Sequence, residues 1–318
     1  MKKFIVFAVI LIIIITLGLP LLVNLLTGPE PEAENMKVRL YHHDSGQIEE
    51  IALNEYVTGV VAAEMPAEFP VEALKAQAVA ARTYVLKRLL SGGVVNREHP
   101  EADVCDDHRH AQAWLSQEQM KERWGVVNYY RYYYKIRQAV DATGYTVITY
   151  RDDLIDPVYH SACGGRTENS EAVWKYNVPY LKSVNCPYEN DPRSVQRVSY
   201  TLAQAQKALG INLEAVPVAA GSSPVKPVEQ TETGRVKTVR AGDVDLPAVL
   251  VRERLGLRST NFSCQLQGDK LVFTTVGYGH GVGMCQYGAK GLAEHGYSHQ
   301  EILEHYYTGV NVEELEMK

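Results

Sequence analysis

Two glutamates, Glu64 and Glu68, stand beside two prolines in the stretch AAEMPAEFPVEALKAQAVAARTY, Ala62 to Tyr84. A carboxyl acts as a general acid on a glycosidic oxygen when its surroundings disfavour the ionised form. Glu64 has such a setting in sequence, among Val60, Val61, Ala62, Ala63 and Met65 and just before Pro66. Glu68, two residues before Pro70, is equally suited to capping a helix N-terminus. The stretch also carries Lys75 and Arg82. At about 100° per residue both fall within an apolar stripe of Val71, Leu74, Ala78, Ala81, Val85 and Leu89, where each needs an anionic or carbonyl partner.

Three other groupings could carry chemistry. The loop HPEADVCDDHRHAQ gathers His99, Cys105, Asp106, Asp107, His108 and His110, a set able to hold zinc or simply to form a solvated charged loop. The segment GYGHGVGMCQYGAKGLAEHG places glycine at alternate positions from Gly277 to Gly283, which suits close backbone approach and presents His280 and Gln286. It satisfies no G-x-G-x-x-G register and lacks the GK[ST] ending of a phosphate loop. Cys163 in HSACGG is a candidate nucleophile with His160 or His280 as base, although Cys163 and Cys186 are also the best disulfide pair by proximity along the chain. No HExxH occurs, and His299 and His305 are too far apart to share a helix face, which argues against a zinc protease.

The elements that position these residues begin after an apolar run. Lys2-Lys3 precedes an uncharged stretch from Phe4 to Leu26, long enough to cross a hydrocarbon layer of about 30 Å. A secretory signal has a shorter apolar core of about 7–15 residues and a small-residue cleavage site, so residues 1–27 read as an uncleaved anchor with its N-terminus cytoplasmic. Residues 28–36 read as an acidic, proline-bearing linker and 37–318 as one large ectodomain with room for a subdomain. Short strands are expected at Val38–Tyr41 and Ile48–Leu53, a helix after Pro70, and a long helix from Trp114 to about Asp141. A mobile loop is expected at about 216–234. Strands and helices mix without regular alternation, which makes the class α+β. A net charge of −6 argues against nucleic acid as partner.

Three blocks together are highly specific: EYVTGVVAAEMPAEFPVEALKAQAVAARTY, PVYHSACGGRTENSEAVWKYNVPYLKSV and GYGHGVGMCQYGAKGLAEHGYSHQEILEHYY, joined by VRERLGLRSTNF. In them the chain resembles the stage II sporulation protein D family of endospore-forming bacteria. The resemblance implies a membrane-anchored lytic transglycosylase. Such an enzyme cleaves peptide-free peptidoglycan strands between N-acetylmuramic acid and N-acetylglucosamine, with formation of an anhydro end. It also implies action in septal thinning and forespore engulfment, with stage II sporulation proteins P and M as partners. Carried over by position, the catalytic glutamate falls on Glu64. A zinc loop falls on His99, Cys105 and His110, its fourth ligand position being Ala111, so that His108 or water would have to complete the shell. Lys75, Arg82, His280, Gln286 and Tyr287 are then expected to bind substrate, and Tyr129 to Tyr134 to offer rings to sugars or to pack. The alternative reading is a non-catalytic wall-binding or scaffold protein of the engulfment machinery.

Overall fold

The computed structural model describes residues 36–90, 99–107, 109–174, 176–213 and 223–315. The proposed anchor and nearly all of the linker lie outside these residues, and among those described no helix is long and apolar enough to cross a membrane.

The chain opens with strands β1 (Lys37–Tyr41) and β2 (Ile48–Ala52), paired antiparallel. The next two helices, α1 (Leu53–Glu64) and α2 (Val71–Leu90), are separated by a short turn. The residue before a proline avoids helical angles, and Met65 before Pro66 is extended at φ −115°, ψ 143°. Helix α1 therefore ends at Glu64. Strand β3 (Val104–Cys105) adds parallel to β1. Helix α3 (Gln117–Asp141) begins three residues later than expected, at a Ser116 capping box, and is interrupted at Gly125, whose φ of 71° no helix contains.

Strands β4 (Thr146–Tyr150) and β5 (Asp153–Leu154) form a hairpin, followed by β6 (Tyr159–His160) and α4 (Ser170–Trp174). The chain then builds a separate unit from β7 (Val195–Thr201), α5 (Leu202–Leu209), β8 (Val225–Gln230), β9 (Val236–Ala241), β10 (Val244–Pro247), α6 (Ala248–Arg254), β11 (Phe262–Gln267) and β12 (Lys270–Val276). Two three-stranded antiparallel sheets, β11-β12-β7 and β10-β9-β8, make up that unit. The chain returns as β13 (Met284–Cys285), parallel to β6, then α7 (Gln286–Glu294), α8 (His299–Tyr306) and β14 (Asn311–Glu314) beside β4.

Two hydrophobic cores result. Residues 38–186 and 282–310 share one, and residues 205–273 supply the other. The subdomain anticipated from chain length is thus an insertion between the two halves of the main core. The expected loop at 216–234 is corrected by β8, which occupies 225–230. Its polar residues mislead because the strand lies at a sheet edge, where Lys226, Glu229 and Gln230 face water. Residues 214–222 lie outside the described set.

The apolar stripe read on α2 is also corrected. Val71 is exposed while Ala73, Ala76, Gln77, Ala78, Val79, Ala80, Ala81, Arg82 and Thr83 are all buried. The helix runs through the main core and packs on α1, α3, α7, α8 and β4. Its alanines are what let so many neighbours approach.

Candidate active site

A cleft of about 1150 Å³ lies between the main core and the insertion. Glu64, Met65 and Pro66 line it from the end of α1, Tyr159 and His160 from β6, Arg252, Glu253 and Arg258 from α6 and the turn after it, and Tyr278, His280, Gln286 and Tyr287 from the glycine-rich segment.

Glu64 reaches the cleft because α1 stops there. Its apolar sequence neighbours Val60, Val61, Ala62 and Met65 are buried in the core, so the carboxyl faces polar surroundings instead. The Ala113 amide donates to Glu64 Oε1 at 3.0 Å. That amide is held in place by a packing device on α1. Gly59 leaves room for the Trp114 indole, which would collide with any Cβ there, and its carbonyl accepts the Leu115 amide at 3.2 Å. Arg123 caps the same helix end, its Nη1 donating to the Ala62 and Ala63 carbonyls at 3.2 and 3.4 Å.

Two tyrosines lie within electrostatic reach of Glu64. Gln112 links them, accepting from the Tyr56 hydroxyl at 3.3 Å and donating to the Tyr159 hydroxyl at 3.0 Å. Burial, reinforced by the Glu64 charge, keeps Tyr159 protonated far above neutral pH. Tyr159 is therefore a neutral donor on the cleft wall beside Glu64.

The two histidines of the cleft differ. His280 accepts the Val282 amide at 3.1 Å through Nδ1 and also bonds to the Tyr159 backbone, so backbone bonds fix its ring. Burial and the nearby Arg252 hold its pKa down at about 4. His160 is buried and donates from Nδ1 to the Val282 carbonyl at 3.0 Å. Its Nε2 has no hydrogen-bond partner among the described residues.

Gln286 and Tyr287 line the cleft as well. Gln286 is tied to Gln77 of α2 at 3.2 Å, and the Tyr287 hydroxyl accepts from Arg193 at 3.0 Å. Lys75 and Arg82 are not among the cleft's lining residues. Lys75 pairs with Glu72 at 2.8 Å. Arg82 is fully buried and turns its guanidinium onto the end of α3, donating to the Val140 carbonyl at 3.0 Å, Thr143 Oγ1 at 3.1 Å and the Thr146 carbonyl at 3.4 Å. The partners demanded by an apolar setting are thus carbonyls and a hydroxyl, and burial lowers the Arg82 pKa to about 10. Glu68 is exposed and bonds to Tyr132. Tyr129 is buried and Tyr132 and Tyr133 pack against the main core, while Tyr130 and Tyr134 are exposed and stack on each other; none of these tyrosines lines the cleft.

Sequence reasoning passes over the cleft's cations. Arg109, Arg123, Arg193, Arg252 and Arg258 all line it, against the acidic Glu64 and Glu253. They come from four separate stretches of the chain, and only Arg252 and Arg258 share one, VRERLGLRSTNF.

The loop cluster is completed differently from expectation. Donor atoms of His43, His99, Cys105 and His110 lie within 4.8 Å of one another. A fourth donor is thus offered by His43 in the turn after β1, where Ala111 offers none, because the parallel pairing of β3 with β1 lays that turn over the loop. His108 lies outside the described residues. Four protein donors of this kind suit zinc and leave no open coordination position.

All five cysteines are free thiols, so the expected Cys163–Cys186 bridge is absent, although the two sulfurs are neighbours. Cys163 is buried outside the cleft lining and donates to Glu189, with no histidine as base.

The fold is thus a two-core α+β protein whose arginine-lined cleft holds the carboxylates of Glu64 and Glu253. The sequence profile described as "Stage II sporulation protein" matches residues 41–150. The chain is 38% identical over 287 residues to stage II sporulation protein D of Bacillus subtilis (strain 168), covering 90% of this chain and 81% of the relative. It is likewise 38% identical over 293 residues to stage II sporulation protein D of Bacillus amyloliquefaciens, covering 91% and 83%. A protein named "Amidase enhancer" from Bacillus subtilis (strain 168) is 28% identical across 80% of this chain and 40% of its own length. The chain belongs to the stage II sporulation protein D family.

Proposed function

We propose that this chain is a lytic transglycosylase of peptidoglycan whose catalytic residue is Glu64. The observation that carries this reading is the placement of Glu64 at the end of α1 inside a cleft lined by five arginines. Glu64 gives its proton to the oxygen joining N-acetylmuramic acid to N-acetylglucosamine, and the bond from the muramyl C1 breaks. The muramyl C6 hydroxyl then bonds to C1, closing the anhydro ring, and its proton returns to Glu64. The nucleophile belongs to the substrate, so the pair of carboxyls used by ordinary glycosidases is not needed. Tyr159 serves as a neutral donor beside the carboxyl, while His280, Gln286 and Tyr287 shape the wall against which the sugars rest.

The arginines suit strands from which stem peptides have been removed. Each muramyl lactyl group then ends in a carboxylate, and a guanidinium fork binds carboxylates well. Such a substrate fits action after an amidase, and stage II sporulation proteins P and M are the proposed partners in septal thinning and forespore engulfment. The apolar run Phe4–Leu26 is the proposed anchor, with the described residues outside the cell membrane. Zinc held by His43, His99, Cys105 and His110 supplies a structural cross-link. It would tie the loop that carries Arg109 to the turn after β1 and so hold one side of the cleft.

A second reading is a wall-binding protein without catalysis, since a cationic cleft also retains an anionic glycan uncut. Peptide-free glycan incubated with the chain separates the two. Anhydro-muramyl ends found by mass support the transglycosylase, reducing ends indicate hydrolysis, and intact strands that sediment with the protein indicate binding alone. Glu64→Gln is expected to lower cleavage about 10²–10⁴-fold while leaving the thermal midpoint and glycan sedimentation near wild type. A folded Glu64→Gln chain with full activity overturns the assignment.

A further inference from the structure

Outside the cleft, three thiols and a carboxylate converge where the two halves of the main core meet. Cys163 comes from the loop after β6, Cys186 and Glu189 from the segment before the insertion, and Cys285 from the N-cap of α7. All three cysteines are buried, and the four donor atoms lie within 4.8 Å of one another. A tetrahedral zinc site with Zn–S of about 2.3 Å and Zn–O of about 2.1 Å separates its donors by about 3.5–3.8 Å. Small rotations of side chains already in place reach that geometry.

We infer that Cys163, Cys186, Cys285 and Glu189 form a second, structural zinc site of this protein, distinct from the histidine-rich loop.

The groups around the donors are those a thiolate site needs. The Gly288 amide donates to Cys285 Sγ at 3.3 Å at the positive end of α7, and the Tyr306 hydroxyl lies 2.8 Å from Cys186 Sγ. Gly164 and Gly165, at φ 78° and 100°, turn their amides onto Glu189 at 2.9–3.3 Å together with the Cys163 amide at 2.9 Å. A Cβ at Gly288 would strike both the Tyr306 hydroxyl and Cys186 Sγ, so that glycine keeps the space open. Binding releases the three thiol protons and leaves three thiolates, one carboxylate and Zn²⁺, a net charge of about −2. The buried Arg235, bonded to the Cys163 carbonyl, offsets part of this charge.

An odd number of thiols also argues for a metal. Any disulfide among the three strands one sulfur beside the half-buried Glu189 carboxylate, whereas a metal uses all four donors. The site lies one or two residues from Ser161, Gln286 and Tyr287, so zinc here would pin β6 to α7 behind the cleft wall.

The test uses the full chain in detergent, purified under reducing conditions with zinc(II) present, and is independent of glycan cleavage. The double variant Cys105→Ser, His110→Ala removes the loop cluster and is expected to retain one zinc per chain. Adding Cys163→Ser and Cys285→Ser is expected to abolish that zinc and lower the thermal midpoint. Cobalt(II) in the first variant should give the sulfur-to-metal charge-transfer intensity of three thiolates. Should that variant fail to fold, cobalt-loaded wild type decides, since absorption from only the Cys105 thiolate overturns the proposal. A loop variant that binds no zinc, or a Cys163–Cys186 disulfide in chain isolated without reductant, overturns it equally.

Discussion

At the scale of single residues, the same charge does different work according to what surrounds it. Arg82 and Lys75 lie in one helix, yet neither lines the cleft. Removing the Arg82 guanidinium takes one donor each from the Val140 and Thr146 carbonyls and Thr143 Oγ1 in a buried setting, at a cost of about 1–3 kcal/mol. Arg82→Ala is thus expected to lower the denaturant midpoint while activity per folded molecule stays unchanged; a raised KM without loss of stability would return Arg82 to a substrate role. Glu72 titrates against two partners. Although partial burial works against ionisation, hydrogen bonds from Lys75 and His299 hold its pKa down at about 2 from a usual 4.5. A depressed folded-state pKa contributes stability that is present above the unfolded value and lost as the pH falls through the folded one. Stability measured between pH 4.5 and 2 should fall less steeply in Glu72→Gln than in wild type. The sequence showed that Arg82 and Lys75 needed partners; Lys75 finds Glu72 three residues away on its own helix, whereas the partners of Arg82 lie at the end of α3 and just beyond it, far along the chain.

At the scale of elements, the position of Glu64, the proposed catalytic residue, is made by a helix end and the segment laid across it. The end of α1 was legible in sequence from Met65-Pro66, because a proline restrains the residue before it. The crossing segment was not legible, because nothing in GVVAAEMP announces that Gly59 seats Trp114. Gly59→Ala is expected to displace the indole, cost about 1–3 kcal/mol of stability and lower glycan cleavage through loss of the Ala113 amide from Glu64. Unchanged stability and activity would show that the segment is not held this way. The tyrosine run left two readings open for a similar reason: its spacing fits a helix face, but which face meets the core depends on how α3 packs.

At the scale of the whole molecule, the insertion converts one wall into a cleft. Arg252 and Arg258 belong to it and face Glu64, Arg109 and Arg123 across the opening. Each guanidinium–carboxylate contact is worth about 1.5 kcal/mol or more, so Arg252→Ala with Arg258→Ala should raise the KM for peptide-free glycan about tenfold or more. The salt dependence of binding should weaken with it, and equal KM values at low and high salt for wild type would count against charge recognition. The chain's own residues determined the anchor-like apolar run, the α+β class, the end of α1 and the candidacy of Glu64 and the His/Cys loop, because these depend on neighbours within a few positions. Tertiary structure alone decided that His43 completes the loop cluster, that Cys285 joins Cys163 and Cys186, and that five scattered arginines share one cleft. Each of those facts is a distance between residues far apart in the chain, set by strand pairing and core packing, and no local periodicity encodes it.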